Sequence, residues 1–156
     1  MIDLMRRLLY ILSIVLLVAG CTGVGEGSHA GFAPIPVAGW GYGDTLLLVP
    51  APGDSVAVGR LAVAVRHTDG YSYRNLWLEV SVPCGDTLRA DTLNLRLADS
   101  YGRWLGRGSG VSYMKTDTMP AHIRLVRGDT VRVRHIMRVD TLEDIEQVGV
   151  IFIPDR

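Results

Sequence analysis

The sequence lacks a hydrophobic run that could cross a bilayer as a free-standing helix. Its most apolar stretch, residues 8–19 (LLYILSIVLLVA), is twelve residues long and follows Arg6 and Arg7. A membrane-spanning helix needs roughly 20 apolar residues. A basic start followed by a short apolar run is typical of a signal peptide. We therefore predict that residues 1–20 direct export and are then removed.

Cysteine is scarce, because the 156 residues contain only Cys21 and Cys84. Small residues directly before Cys21 form the pattern at which bacterial lipoprotein precursors are acylated and cut, so we predict that Cys21 is lipidated and inserts its acyl chains into the bilayer. The alternative is an ordinary secreted protein with a cysteine at that point. Acylation would leave Cys84 as the only thiol and would exclude an internal disulfide. Cys84 is then an idle thiol, unless it pairs with another chain or reacts as a nucleophile.

The chain has no excess of charge of either sign. Sixteen Lys and Arg balance sixteen Asp and Glu, and loss of Arg6, Arg7 and Asp3 with the signal peptide leaves 14 cations and 15 anions, a net charge of −1. A nucleic-acid-binding domain normally carries a clear positive excess. The composition therefore gives no case for a nucleic-acid partner.

The sequence also lacks a long 3.6-residue period, and only residues 141–145 (TLEDI) could form a helical turn. Apolar residues instead alternate with polar ones, the period of a half-buried strand. Such strand signals occur at residues 44–49, 60–67, 76–82, 93–97, 123–125, 131–133 and 148–153. The last of these (VGVIFI) is more continuously apolar, which indicates an inner strand.

Short strands separated by frequent turn signals predict an all-β fold, an antiparallel β-sandwich of the jelly-roll or Ig-like kind with about eight strands. A closed barrel is the alternative. The sandwich is expected at residues 40–156. Residues 21–39 are rich in Gly, Ala and Pro without a period, so we predict a flexible tether there after the lipidated cysteine.

Candidate contact residues gather on two predicted loops. Aromatic side chains grouped on loops can form a protein-docking patch or a platform on which sugars stack. The alternative is a structural role, in which Trp side chains cover one face of the sandwich and Tyr hydroxyls brace the turn. The candidate docking surface comprises Tyr71, Tyr73, Trp77, Trp104, Arg103 and Arg107.

No constellation of residues indicates catalysis, a metal or a cofactor. His67 and His135 lack neighbouring ligands at metal-binding spacings and lack a paired nucleophile, so hydrogen bonding to the backbone is expected for both. The glycine-rich residues 102–110 lack the Lys-Ser/Thr ending of a phosphate loop. These glycines are expected to let a loop turn sharply around Trp104. We predict no enzyme activity, no cofactor and no nucleotide ligand.

Motifs distributed along the chain resemble the gliding-motility lipoprotein GldH family of Bacteroidetes. The matching residues lie in the same order and span nearly the whole chain after the signal. They are Trp40, Tyr42, Asp44-Thr45, His67-Thr68, Tyr71, Tyr73, Asn75 to Leu78, Asp91 to Leu93, Leu97 to Asp99, Gly102, Trp104 to Gly106, Gly108, Gly110, Tyr113, His135, Met137-Arg138, Asp140, Leu142, Ile145 and Val148-Gly149.

The resemblance implies an accessory lipoprotein of the outer membrane that works with the gliding apparatus, whose parts overlap those of type IX secretion. Its partners would be envelope proteins. In the Bacteroidetes envelope an acidic run directly after the lipidated cysteine favours export to the cell surface. No such run follows Cys21, which favours the periplasmic face of the outer membrane. A glycan-binding module of the cell envelope is the second hypothesis.

Overall fold

The structure is a computed structural model that describes residues 29–50 and 55–155. The predicted signal peptide and Cys21 lie outside these residues. No helix occurs in the part described, so none there could cross a membrane. The strands in chain order are β1 His29–Pro34, β2 Trp40–Gly41, β3 Leu46–Leu48, β4 Val56–Thr68, β5 Asn75–Cys84, β6 Thr87–Arg96, β7 Arg107–Ser109, β8 Ser112–Val126, β9 Val131–His135, β10 Thr141–Leu142 and β11 Ile145–Pro154.

Two antiparallel sheets form a β-sandwich, which confirms the predicted fold class. One sheet has the order β1-β11-β4-β8-β7 and the other the order β3-β9-β5-β6, while β2 and β10 pair separately. Alternation places Leu61, Val63 and Val65 of β4 in the core, opposite the buried side chains of β5. The strand predicted as an inner one, β11, lies between β1 and β4.

The predicted tether was wrong for residues 29–39. This segment contains β1, which pairs with β11 from His29 opposite Phe152 to Pro34 opposite Gln147. Ile35 directly after it is buried in the core. The small residues of this segment give no alternating pattern that would predict a strand. Gly31 lies against the backbone of Val49, where a side chain would not fit. The folded domain therefore includes His29, whereas residues 21–28 lie outside the described part.

Residues 141–145 do not form a helical turn. Thr141 and Leu142 pair with Gly41 and Trp40 as β10, and Asp144 adopts a left-handed backbone conformation with φ of 63°. The segment is a corner between two strands. The chain has more strands than the expected eight, partly because β2, β7 and β10 contain only two or three residues each.

A methyl group at Gly59 should disrupt the pairing of β4 with β11. The Cβ of Gly59→Ala would meet the carbonyl oxygen of Ile153 and would lie 2.7 Å from the Cα of Pro154. Backbone cannot move aside as a side-chain end can, so we expect the free energy of unfolding to fall by about 2 kcal/mol. Gly43→Ala is the matched control, because no atom lies within 4 Å of its new Cβ. Urea unfolding of both variants measures the difference, and equal stability would contradict the register described.

Candidate functional site

The two aromatic loops meet at one end of the sandwich, with His67 between them. The imidazole centroid lies 4.6 Å from the nearest Trp104 ring centroid, 5.8 Å from Tyr71 and 5.9 Å from Tyr113. His67 lies near the end of β4 and points inward, so rings from the loops on both sides close over it. The result is a packed cluster of rings rather than an open aromatic platform. We call this cluster the hub, and it comprises His67, Tyr71, Trp104 and Tyr113.

Backbone contacts hold each loop against this hub. The loop of Trp104 is fastened by a bridge between Trp104 and Ala98 and by a 2.8 Å hydrogen bond from the amide of Leu105 to the carbonyl of Leu97. The Tyr71 hydroxyl donates to the carbonyl of Asn75 at 3.2 Å, as the structural alternative predicted. Only 4% of Tyr71 is exposed, and burial raises the pKa of its phenol.

A polar clasp closes the corner beside the hub. The Thr68 hydroxyl donates to the Asp144 carboxylate at 2.6 Å, and the Thr68 amide donates to the Asp144 carbonyl at 2.9 Å. With its left-handed backbone, Asp144 presents both its carboxylate and its carbonyl oxygen to Thr68. This clasp joins the end of β4 to the start of β11, although these residues are far apart in sequence.

Both buried histidines bond to backbone carbonyls, as predicted. His67 Nδ1 lies 2.8 Å from the Thr68 carbonyl and His135 Nε2 lies 3.1 Å from the Trp40 carbonyl, so these nitrogens carry the donating hydrogens. The other ring nitrogen of each has no hydrogen-bond partner. Burial is the main cause that lowers the pKa of each imidazole from its ordinary value of 6.5. Both rings are therefore neutral at pH 7.

Mild acid should destabilise the fold through these two histidines. Their pKa values are lower in the folded state than in the unfolded chain, so the unfolded state takes up protons first as the pH falls below 6.5. Each histidine then lowers the free energy of unfolding by up to roughly 1.4 kcal/mol per pH unit, until the pH reaches its folded-state pKa. Urea unfolding at pH 7.5, 6.5 and 5.5 measures this slope. His135→Gln should reduce it, and an unchanged slope in that variant would rule out the assignment.

A second region, the outward face of the β3-β9-β5-β6 sheet, is exposed. Trp77 on β5 is 40% exposed there, and Tyr73 is similarly exposed. Three shallow depressions of about 400, 690 and 470 Å³ follow one another along the face. The first two share Asn75, and the second and third adjoin where Thr92 pairs with Glu79. The depressions therefore form one continuous surface.

Arginines surround these depressions. We call this surface the arginine face, and it comprises Arg74, Arg96, Arg132, Arg134 and Arg138 together with Tyr73, Trp77, Leu47 and Leu88. Arg134 makes two hydrogen bonds of 2.8 and 3.0 Å to the Glu79 carboxylate on the neighbouring strand. This pairing lowers the pKa of Glu79. Within the part of the chain described, no ion pair joins Arg74, Arg132 or Arg138 to a carboxylate.

The six predicted docking residues do not lie on a single surface. Tyr71 and Trp104 pack into the hub, whereas Tyr73 and Trp77 lie on the arginine face. The other two predicted residues, Arg103 and Arg107, lie on neither of these surfaces. Arg103 bonds to Asp99 through Nε at 2.8 Å and lies over the Tyr101 ring, and Arg107 is on the short edge strand β7.

Most residues of the arginine face are absent from the docking surface predicted from the sequence. The alternation of Arg132 and Arg134 with buried Val131 and Val133 predicts a strand, and the same alternation places both arginines on its outward side. That alternation was the available signal. Nothing in the sequence indicates that Leu47 and Leu88 are exposed, because a single leucine in an apolar or turn-flanking segment does not reveal which side of the sheet it faces.

Other reactive groups are sparse within residues 29–50 and 55–155. No group of three or more His, Cys, Asp or Glu side chains there could hold a metal ion. Cys84 is a free and exposed thiol at the end of β5. Its turn reverses through Gly85, whose φ is +62°.

The fold and its exposed surface define an antiparallel β-sandwich domain with an exposed face of polar and aromatic side chains. The family model described as GldH lipoprotein matches residues 30–151, and the chain belongs to that family of gliding-motility lipoproteins. The family resemblance predicted from the sequence is thereby confirmed. Membership makes the protein a lipoprotein of gliding motility, and this family is not known as one of enzymes.

Comparison with curated proteins found no match. Among solved structures, the Eiger TNF of S. frugiperda is 12% identical, with 84% of this chain and 96% of that chain covered and a TM-score of 0.41. Xyl-CBM35, in complex with a glucuronic acid containing disaccharide, is 18% identical, with coverages of 88% and 84% and a TM-score of 0.39. The globular domain of zebrafish complement 1qA protein is 12% identical, with coverages of 83% and 98% and a TM-score of 0.40.

Proposed function

We propose that this protein is an outer-membrane accessory lipoprotein that supports the gliding and type IX secretion machinery through protein–protein contacts. The observation that carries the proposal is the arginine face, which combines exposed aromatic, aliphatic and cationic side chains over three adjoining depressions. Aromatic residues and arginine are the types most enriched at the centres of protein interfaces.

The two longest free edges, on β6 and β8, are poorly suited to docking, which favours the face. On the long edge strand β6, Arg89 and Asp91 form a 3.0 Å ion pair on the side that carries the buried Leu93. Inward-pointing charges at an edge oppose pairing with a further strand. In the other sheet β7 covers β8 only from Ser112 to Met114, so the rest of β8 is a free edge, and it contains Pro120, which cannot donate a ladder hydrogen bond. A partner would therefore meet side chains rather than an open backbone edge.

Anchoring limits where the domain can work. In this proposal Cys21 is acylated, and eight residue steps separate it from His29, where β1 begins. Eight extended residues span at most about 28 Å. The sandwich then stays close to the bilayer, within reach of other proteins of the outer membrane. The periplasmic face of that membrane is the side we propose.

Complementation of a gene deletion tests the proposal. The full chain should restore secretion and surface spreading, whereas Cys21→Ala should leave the membrane fraction and fail to restore them. Trp77→Ala should remain anchored and folded but lose function. Val58→Ala is the matched control, because Val58 is exposed on β4 in the other sheet. A deletion strain with normal secretion and spreading would refute the proposed role.

A glycan-binding function is the second candidate. It is favoured by Tyr73 and Trp77, two exposed rings that line the same depression of about 690 Å³. Titration of the full chain with outer-membrane polysaccharide distinguishes the two functions. Binding that is lost in Trp77→Ala, together with normal machinery in the deletion strain, would establish the glycan function instead.

A further inference from the structure

We propose that the arginine face binds an acidic segment of its protein partner, with carboxylates on the arginines and aliphatic side chains between Leu47 and Leu88. This inference rests on the proposed function and names the chemistry of the partner. Three observations carry it: the charge of the face, the way Arg134 already holds a carboxylate, and the two exposed leucines.

The charge of the face contrasts with that of the whole domain. Five arginines border the depressions and Glu79 is the only acidic side chain lining the one that holds Arg132 and Arg134, although the chain after residue 20 has a net charge of −1. Asp99, which lines an outer depression, is already bonded to Arg103. A cationic surface on a nearly neutral domain attracts an acidic partner and repels a basic one.

The Glu79–Arg134 pair shows how a carboxylate would be held. Its two hydrogen bonds match the planar guanidinium fork to both carboxylate oxygens. Arg132 lies two residues earlier on the same side of β9 and lines the same depression, without a carboxylate of its own among the described residues. A carboxylate from a partner could bind Arg132 in the same way. The chain strongly favours arginine over lysine, with Lys115 as its single lysine.

The leucines favour a protein segment over an anionic headgroup or sugar. Leu47 is 64% exposed and Leu88 is 46% exposed, and both line the depression that contains Arg132. Neither a phosphate nor a sugar ring would cover these aliphatic side chains well. A segment that alternates acidic and aliphatic residues would cover the leucines and neutralise the arginines at the same time.

The test uses the full chain in detergent micelles and two synthetic peptides, (Glu-Leu)6 and (Gln-Leu)6, at low salt. The acidic peptide should bind at least tenfold more tightly than the amide peptide, and 0.3 M NaCl should reduce the difference because salt screens charge. Arg132→Glu/Arg138→Glu should weaken binding of the acidic peptide at least tenfold. Arg60→Glu/Arg66→Glu, on the outward side of β4, makes the same charge change and should have little effect.

Several results would overturn the inference. These are equal binding of the two peptides, equal effects of the two double variants, or tighter binding to vesicles containing phosphorylated lipid A or to polygalacturonate than to the acidic peptide. Complementation separates this failure from that of the proposed function. If Trp77→Ala abolishes secretion while Arg132→Glu/Arg138→Glu leaves it intact, the docking function stands and the acidic partner does not.

Discussion

Trp40→Ala is expected to lower the free energy of unfolding by about 3–5 kcal/mol, a large part of the stability of a domain of this size. Only 1% of Trp40 is exposed, and its indole Nε1 donates to the Asp44 carbonyl at 3.0 Å. Its ring meets the buried His135 edge-on, with centroids 5.3 Å apart. Alanine would leave a cavity and would remove the hydrogen bond that closes the β2–β3 turn.

Tyr42→Ala is the matched control for Trp40. Tyr42 also contacts His135 edge-on, with centroids 5.6 Å apart, but it is exposed. We expect Tyr42→Ala to lower the free energy of unfolding by about 1 kcal/mol or less. Urea unfolding of both variants at pH 7.5 measures the difference. Similar losses for the two would contradict the position of Trp40 in the core.

Trp104→Ala is expected to act mainly on stability and Trp77→Ala mainly on function. Trp104 covers His67 and packs against the core, so its removal should lower the free energy of unfolding by about 2–3 kcal/mol. Trp77 is exposed on the arginine face, so its removal should cost less than about 1 kcal/mol but should impair complementation.

The two measurements for this pair are urea unfolding and recovery of secretion in the deletion strain. A Trp104 variant that retains full stability would show that the hub does not support the fold. A Trp77 variant that unfolds would remove the distinction between scaffold and contact surface on which the proposed function depends.

The strands were predictable where one side of a strand faces the core and the other faces solvent. In β5 this alternation is visible directly in the residue types. In β4 large apolar residues alternate with Ala62 and Ala64, which are also buried, and the continuous apolar run of β11 indicates an inner strand. The tether prediction failed at β1, because Gly31 is needed for close approach to the backbone of Val49 and the small residues of β1 have no strand signature.

The candidate site was less predictable, because exposure depends on contacts between distant residues. Tyr71 and Trp104 looked like surface aromatics on loops, but both close over His67, which comes from another segment. The arginine face arises only when β9 lies beside β5, although Glu79 and Arg134 are 55 residues apart in sequence. No local pattern predicts which strands become neighbours.

The most direct test of docking through the arginine face is photo-crosslinking in intact outer membranes. A photoreactive amino acid is placed at Leu88 on this face and, in a second strain, at Val58 on the other sheet; both side chains are exposed to a similar extent. Docking through the arginine face predicts a crosslink to a component of the gliding or secretion machinery from position 88 and none from position 58. Crosslinks from position 58 alone, or from neither position, would contradict it.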